Sequence, residues 1–200
     1  MHGTDGRRSR RTGWIAAAVA AAVGAAALAS GANAAVPAAW KTYCAKQGGT
    51  VQMRTAAAGT NSPPLLKLGP PVAFCRWHQA SDDSQILVDL RTLTTRKPTL
   101  AAIAYLARVQ PGRFNPNANP ASQYCTKLGG TDLFGGVNIA GGGWVLRSNA
   151  NSAVDMCTFP DGSIIDSFGI LYASQGAVRG ADLTRKFRYR PGSRLPAVFG

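Results

Sequence analysis

The 200-residue chain contains no glutamate. All nine acidic residues are aspartate, set against 22 lysines and arginines, and the net charge is +13 at neutral pH. Every carboxylate mechanism must therefore run on aspartate or the C-terminus. Histidine is nearly as scarce: past residue 2 there is only His78. General acid–base chemistry near neutral pH thus has few groups to draw on. Charged residues are 16 % of the chain, below the ~25 % of an average soluble protein, while hydrophobic residues reach 46 %. That balance excludes a disordered polyelectrolyte and a Glu/Lys-rich coiled coil. No C-x-x-C pair is present, so the usual redox motif is missing. Of the Cys/His combinations zinc would use, only His78 lies near Cys75. No G-x-S-x-G elbow appears. Neither a cofactor, nor a metal site, nor a catalytic residue set is expected.

A long apolar run occurs once, at the N-terminus. Arg7, Arg8, Arg10 and Arg11 form a basic stretch, an Ala/Val-rich run from Trp14 to Ala29 follows, and Ala32-Asn33-Ala34 gives an A-x-A pattern. This reads as a signal peptide over 1–34, with Ala35 as the first mature residue. The run is mostly Ala and short of the ~20 strongly apolar residues that span a bilayer. Arg10-Arg11 leaves general and twin-arginine export both open. Cleavage would remove four Arg and Asp5, leaving 18 basic and eight acidic residues, net +10. With no second such run, no integral membrane span is expected in the mature chain, which is read as secreted or periplasmic.

The rest of the sequence repeats itself. Tyr43-Cys44-Ala45-Lys46-Gln47-Gly48-Gly49-Thr50 matches Tyr124-Cys125-Thr126-Lys127-Leu128-Gly129-Gly130-Thr131 as Y-C-x-K-x-G-G-T, offset by 81. A second Cys follows in each half, 31 positions on at Cys75 and 32 positions on at Cys157. Asp83-Ser84-Gln85-Ile86-Leu87 and Asp161-Gly162-Ser163-Ile164-Ile165 form a second matching block. A duplicated unit is the economical explanation. The organisation read from this is repeat 1 over 35–109, a Pro/Asn-rich linker over 110–119, repeat 2 over 120–183 and a basic C-terminal segment over 184–200.

Each repeat opens with a short helix. Asn119 can cap the second one and Pro120 can take its first position; Gly129-Gly130 ends it. Pro37, Trp40, Tyr43, Cys44 and Gly48-Gly49 repeat the pattern. Extended segments are expected at Thr50 to Arg54, Ala73 to Trp77, Gly143 to Leu146 and Val154 to Phe159. Pro160-Asp161-Gly162 reads as a turn. Helical spacing is expected for Thr99 to Ala107 and for Ile164, Ile165, Phe168, Leu171 and Tyr172. The fold class is α+β: two tandem small repeats, each a helix, antiparallel strands and a following helix. Four cysteines allow three pairings. Export and the repeat favour disulfides Cys44–Cys75 and Cys125–Cys157, each worth roughly 3–4 kcal/mol in the chain-entropy model.

The stretch Asn119-Pro120-Ala121-Ser122-x-Tyr124-Cys125, the Gly129-Gly130 pair and Cys157-Thr158-Phe159-Pro160-Asp161-Gly162-Ser163 resemble a bacterial domain family of unknown function. Its members are small envelope proteins labelled hemolysins. The second repeat carries the pattern. The first has Arg76-Trp77-His78-Gln79 where the F-P-D-G would stand, and the further Cys of the family's last segment are missing. The resemblance implies a similar module and an envelope setting.

Other candidate chemistry is thin. Asp161 and Asp166, or Asp82 and Asp83, could pair as carboxylates, but Asp161 lies where a turn needs its side chain. Gly135-Gly136 and Gly141-Gly142-Gly143 lack the G-K-[ST] of a phosphate loop. The C-terminal segment is the interaction candidate. Arg185, Lys186, Arg188, Arg190 and Arg194 crowd around Phe187 and Tyr189. As a strand it would set Lys186, Arg188 and Arg190 on one face. Such a stripe either binds anions or guards a sheet edge. The expected function is a non-enzymatic binding module whose partner is an anionic envelope component, lipid or polysaccharide, and not nucleic acid. A membrane-active lysin and an envelope enzyme using Asp161 are the alternatives.

Overall fold

The computed structural model describes residues 35–62, 64–133 and 139–192. The expected leader, Gly135-Gly136 and Arg194 lie outside them. The first half runs α1 (Ala38–Lys46), β1 (Thr50–Ala58), β2 (Leu66–Lys67), β3 (Val72–Gln79), β4 (Ser84–Asp89), α2 (Leu90–Thr94) and α3 (Leu100–Ala107). The second runs α4 (Pro120–Lys127), β5 (Gly142–Leu146), β6 (Asn149–Val154), β7 (Met156–Thr158), β8 (Ile164–Asp166) and α5 (Ser167–Ser174). The fold is α+β with antiparallel strand pairing throughout.

Local chemistry places the helices. Asn119 accepts from the backbone N–H groups of Ala121 and Ser122, with Pro120 opening α4, as capping preferences predict. Thr99 caps α3, Asp89 caps α2 and Asp166 caps α5. The glycine pairs do two jobs. Gly48 and Gly129 take φ of +78° and +75° as the chain leaves α1 and α4. Gly49 and Gly130 instead lie against the disulfides, where a Cβ would overlap the sulfurs of Cys75 and Cys157. Those disulfides are Cys44–Cys75, tying α1 to β3, and Cys125–Cys157, tying α4 to β7.

Strand order is β6-β5-β1-β3-β4-β8-β7, with β2 beside β1. Residues 50–54 of β1 pair with β3, and residues 55–58 pair with β5. The two ends of this order, β6 and β7, are separated in sequence by Asp155 alone. The sheet therefore curls and has an inner and an outer face. On the outer face Cys75, Val88, Ile165 and Cys157 stand in one cross-strand row. They pack with Leu90, Tyr105, Tyr124 and Ile170. Their neighbours in sequence turn the other way, since side chains alternate along a strand. Phe74, Leu87, Met156 and Ile164 join Trp144 in a separate inner cluster. Phe74 meets Trp144 edge-on at 5.3 Å.

Three expectations change. Ile164 and Ile165 are not helical: they form β8, and α5 begins at Ser167 under the Asp166 cap. Both faces of β8 are buried, so its apolar run imitates a helix face. The extended run from Val154 to Phe159 is broken at Asp155 into β6 and β7, which pair with different strands. The described part of the basic C-terminal segment, 184–192, forms no strand. Leu183 and Phe187 are fully buried, Phe187 lies edge-on to Tyr105 at 5.7 Å, and Arg188 N–H donates to the Leu93 carbonyl. The alternation survives with Tyr189 inside and Arg188 and Arg190 outside, but the segment plugs the helical layer. The 110–119 loop is anchored too: Lys127 Nζ donates to the Gln110 and Pro111 carbonyls.

Candidate functional site

Two members of the basic segment are occupied within the fold. Lys186 Nζ donates to the Gln47 carbonyl at 2.8 Å, at the C-terminus of α1, where a cation is favoured. It also lies 5.7 Å from the Trp77 ring centroid. Arg190 donates to the carbonyls of Phe187, Tyr189 and Arg185. Arg185 and Arg188 are exposed, and the Arg188 guanidinium lies 5.9 Å over the Tyr43 ring of α1. Lys41 and Lys46 of α1 are exposed as well. The Arg188 guanidinium thus lies on the Tyr43 side of α1, near the Lys186–Gln47 contact.

Asp161 does the work of a turn residue. It accepts from Leu100 N, Ser163 N and Ser163 Oγ. Partial burial opposes ionisation, but these bonds outweigh it and hold the carboxyl below its usual range. Asp166, buried at the α5 cap, accepts from Gly169 N at 2.6 Å. His78 Nε2 pairs with the exposed Asp83 at 2.7 Å, and Asp82 accepts from Ser84 N.

Sequence reasoning missed a polar cleft of about 180 Å³, lined by Gln85, Val154, Asp155, Asp166, Phe168 and Arg179. Burial pushes Asp166 up to about 7, with Asp155 and Asp132 adding to it and Gly169 N–H and Arg179 opposing. Burial and Asp132 push Asp155 up to about 6. Asp155 accepts from Asn119 Nδ2 at 2.8 Å, and Asp132 from Ser167 Oγ at 2.5 Å. The Arg179 guanidinium lies over Phe168 and Tyr172. Carboxyls so placed take up and release protons near neutral pH. On the inner face, the buried Arg54 bridges β1 to the β5–β6 hairpin. It donates to the Trp144 and Ser152 carbonyls and to Gln52 Oε1, and burial pushes it down to about 10. The only readable signal was an Asp followed by Ser-Phe-Gly, a cap pattern; the juxtaposition itself is long-range.

A larger groove, about 440 Å³, opens beside α2. Val36, Pro37, Trp40, Met53, Val72 and Ile164 supply apolar walls, and Asp89, Arg91 and Gly162 the polar part. Among the described residues no group of His, Cys, Asp or Glu is arranged to hold a metal ion, and no helix is long and apolar enough to cross a membrane. No family model, curated protein or solved structure matches the chain.

Proposed function

We propose that this chain is an exported, non-catalytic binding module that attaches to an anionic component of the cell envelope, lipid headgroup or acidic polysaccharide. The state of its cations carries the reading. Among the described residues the contact between a basic side chain and a carboxylate is the His78–Asp83 hydrogen bond. Arg54, Arg76, Arg91, Lys127 and Lys186 hydrogen-bond to carbonyl or amide oxygens, and Arg108 to a hydroxyl. Positive charge is therefore left without a carboxylate partner, and such a field attracts polyanions. Arg185 and Arg188 are the contact residues of this reading. Two disulfides and the A-x-A leader pattern support an oxidising, exported setting. So does the resemblance to an envelope family. Asp161 and His78, the catalytic candidates, are engaged in turn and surface bonds.

The same reading takes the chain as two copies of one stapled module. Equivalent disulfides, equivalent glycines beside them and the equivalent caps Asp89 and Asp166 support it. The experiment is co-sedimentation of the purified protein with anionic and with zwitterionic vesicles, alongside retention on an acidic polysaccharide resin. Binding to one anionic support, weakened by salt, is expected. Equal binding to zwitterionic vesicles, or leakage of vesicle contents, would overturn it.

A further inference from the structure

We propose that the groove beside α2 binds a single-chain aliphatic carboxylate, with Arg91 holding the head and the apolar walls holding the chain. The inference uses neither Arg185 nor Arg188 and stands apart from the envelope-binding reading. Met53 is 42 % exposed in the wall of the groove. Trp40, Val36, Val72 and Ile164 continue that surface. A volume of about 440 Å³ is in the ordinary range for small-molecule sites, which combine an apolar lining with few fixed polar groups.

The polar group here is a guanidinium with capacity to spare. Arg91 Nη2 donates to the Asp161 carbonyl at 2.9 Å, and its other N–H groups carry no hydrogen bond among the described residues. Two carboxylates act on it electrostatically, Asp89 and Asp161. Asp89 spends its oxygens on Thr92 N and Ile164 N. Asp161 spends its own on Leu100 N and on Ser163. Neither forms an ion pair with Arg91. The open fork matches the planar geometry of a carboxylate. One guanidinium supplies one unit of positive charge, which matches a carboxylate monoanion.

The test is calorimetric titration of the full-length protein with dodecanoate below its micellar concentration, in parallel with dodecanol and dodecyltrimethylammonium. Dodecanoate is expected to saturate one site, with dodecanol at least about tenfold weaker and the cation not binding. Arg91→Gln should bring dodecanoate to the level of dodecanol. Met53→Trp, a change at a half-exposed position, should fill the groove and abolish binding of both. Equal affinity for dodecanoate and dodecanol overturns the proposal. So does unaltered binding in Met53→Trp, or no saturable binding at all.

Discussion

Val88 of β4 stands directly opposite Ile165 of β8, and each is also the cross-strand partner of a half-cystine, Cys75 and Cys157. The next residue in each strand, Asp89 or Asp166, turns to cap a helix through Thr92 N or Gly169 N. The ends of β4 and β8 thus meet side by side in one sheet, each running into the cap of a helix. The outer core is built around that row, with both disulfides in it. This geometry explains why the Y-C-x-K-x-G-G-T motif and the second cysteine recur as a set: helix, glycine pair and strand are packed around each sulfur bridge.

The two glycines of each pair should respond differently. Gly129 has open space around its Cβ position but a φ of +75°, so Gly129→Ala should cost about 1–2 kcal/mol. Gly130→Ala would drive a methyl into the Cys157 sulfur and should cost more. Urea denaturation of both variants measures this. A smaller loss for Gly130→Ala would contradict the role given to the disulfide contact.

Stability should fall as pH rises from about 4 to about 7 and level off above that. Burial raises Asp155 to about 6 and Asp166 to about 7, from about 3.9 when unfolded. The folded chain then holds more protons than the unfolded chain over that window. Stability declines by up to about 1.4 kcal/mol per pH unit for each such proton. Asp82, Asp161 and Asp182 are held below their usual range, and their contribution is lost only in stronger acid. Urea midpoints should therefore be higher at about pH 5 than at about pH 8. Asp166→Asn keeps a cap acceptor and should flatten the decline; an unchanged slope would exclude Asp166 as its source.

The C-terminal segment should separate into structural and surface residues. Phe187→Ala removes a fully buried ring and should cost about 3–5 kcal/mol. Arg185→Ser, at an exposed position, should stay within about 0.5 kcal/mol. Chemical denaturation of the pair checks both. A mild effect of Phe187→Ala would mean that this segment is not part of the core.

Much of this was legible where the signal is local. Asn119-Pro120, Thr99 and Pro160-Asp161-Gly162 announce two helix starts and a turn, because caps and turns are decided within four residues. The cysteine pairing was legible from the recurring Y-C-x-K-x-G-G-T motif and the matching Cys spacing. Ile164-Ile165 misled because the curl of the sheet buries both faces of β8, a tertiary fact. The segment around Phe187 showed its in–out alternation but not its lack of a strand partner. The cleft of Gln85, Asp155, Asp166 and Arg179 gathers residues far apart in sequence, and no spacing rule reaches that far. The groove beside Arg91 likewise needs Val36, Met53, Val72 and Ile164 brought together by the sheet.

In the proposed function, cations without carboxylate partners hold this protein to an anionic surface. The most direct measurement is the salt dependence of binding to that surface for the native protein and for the Arg185→Ser/Arg188→Ser double variant. Lys186 and Arg190 are left intact because they serve the fold. Native affinity should drop steeply as ionic strength rises toward physiological values, and the double variant should bind more weakly with a shallower dependence. Equal affinity and equal salt dependence in the two proteins would contradict it.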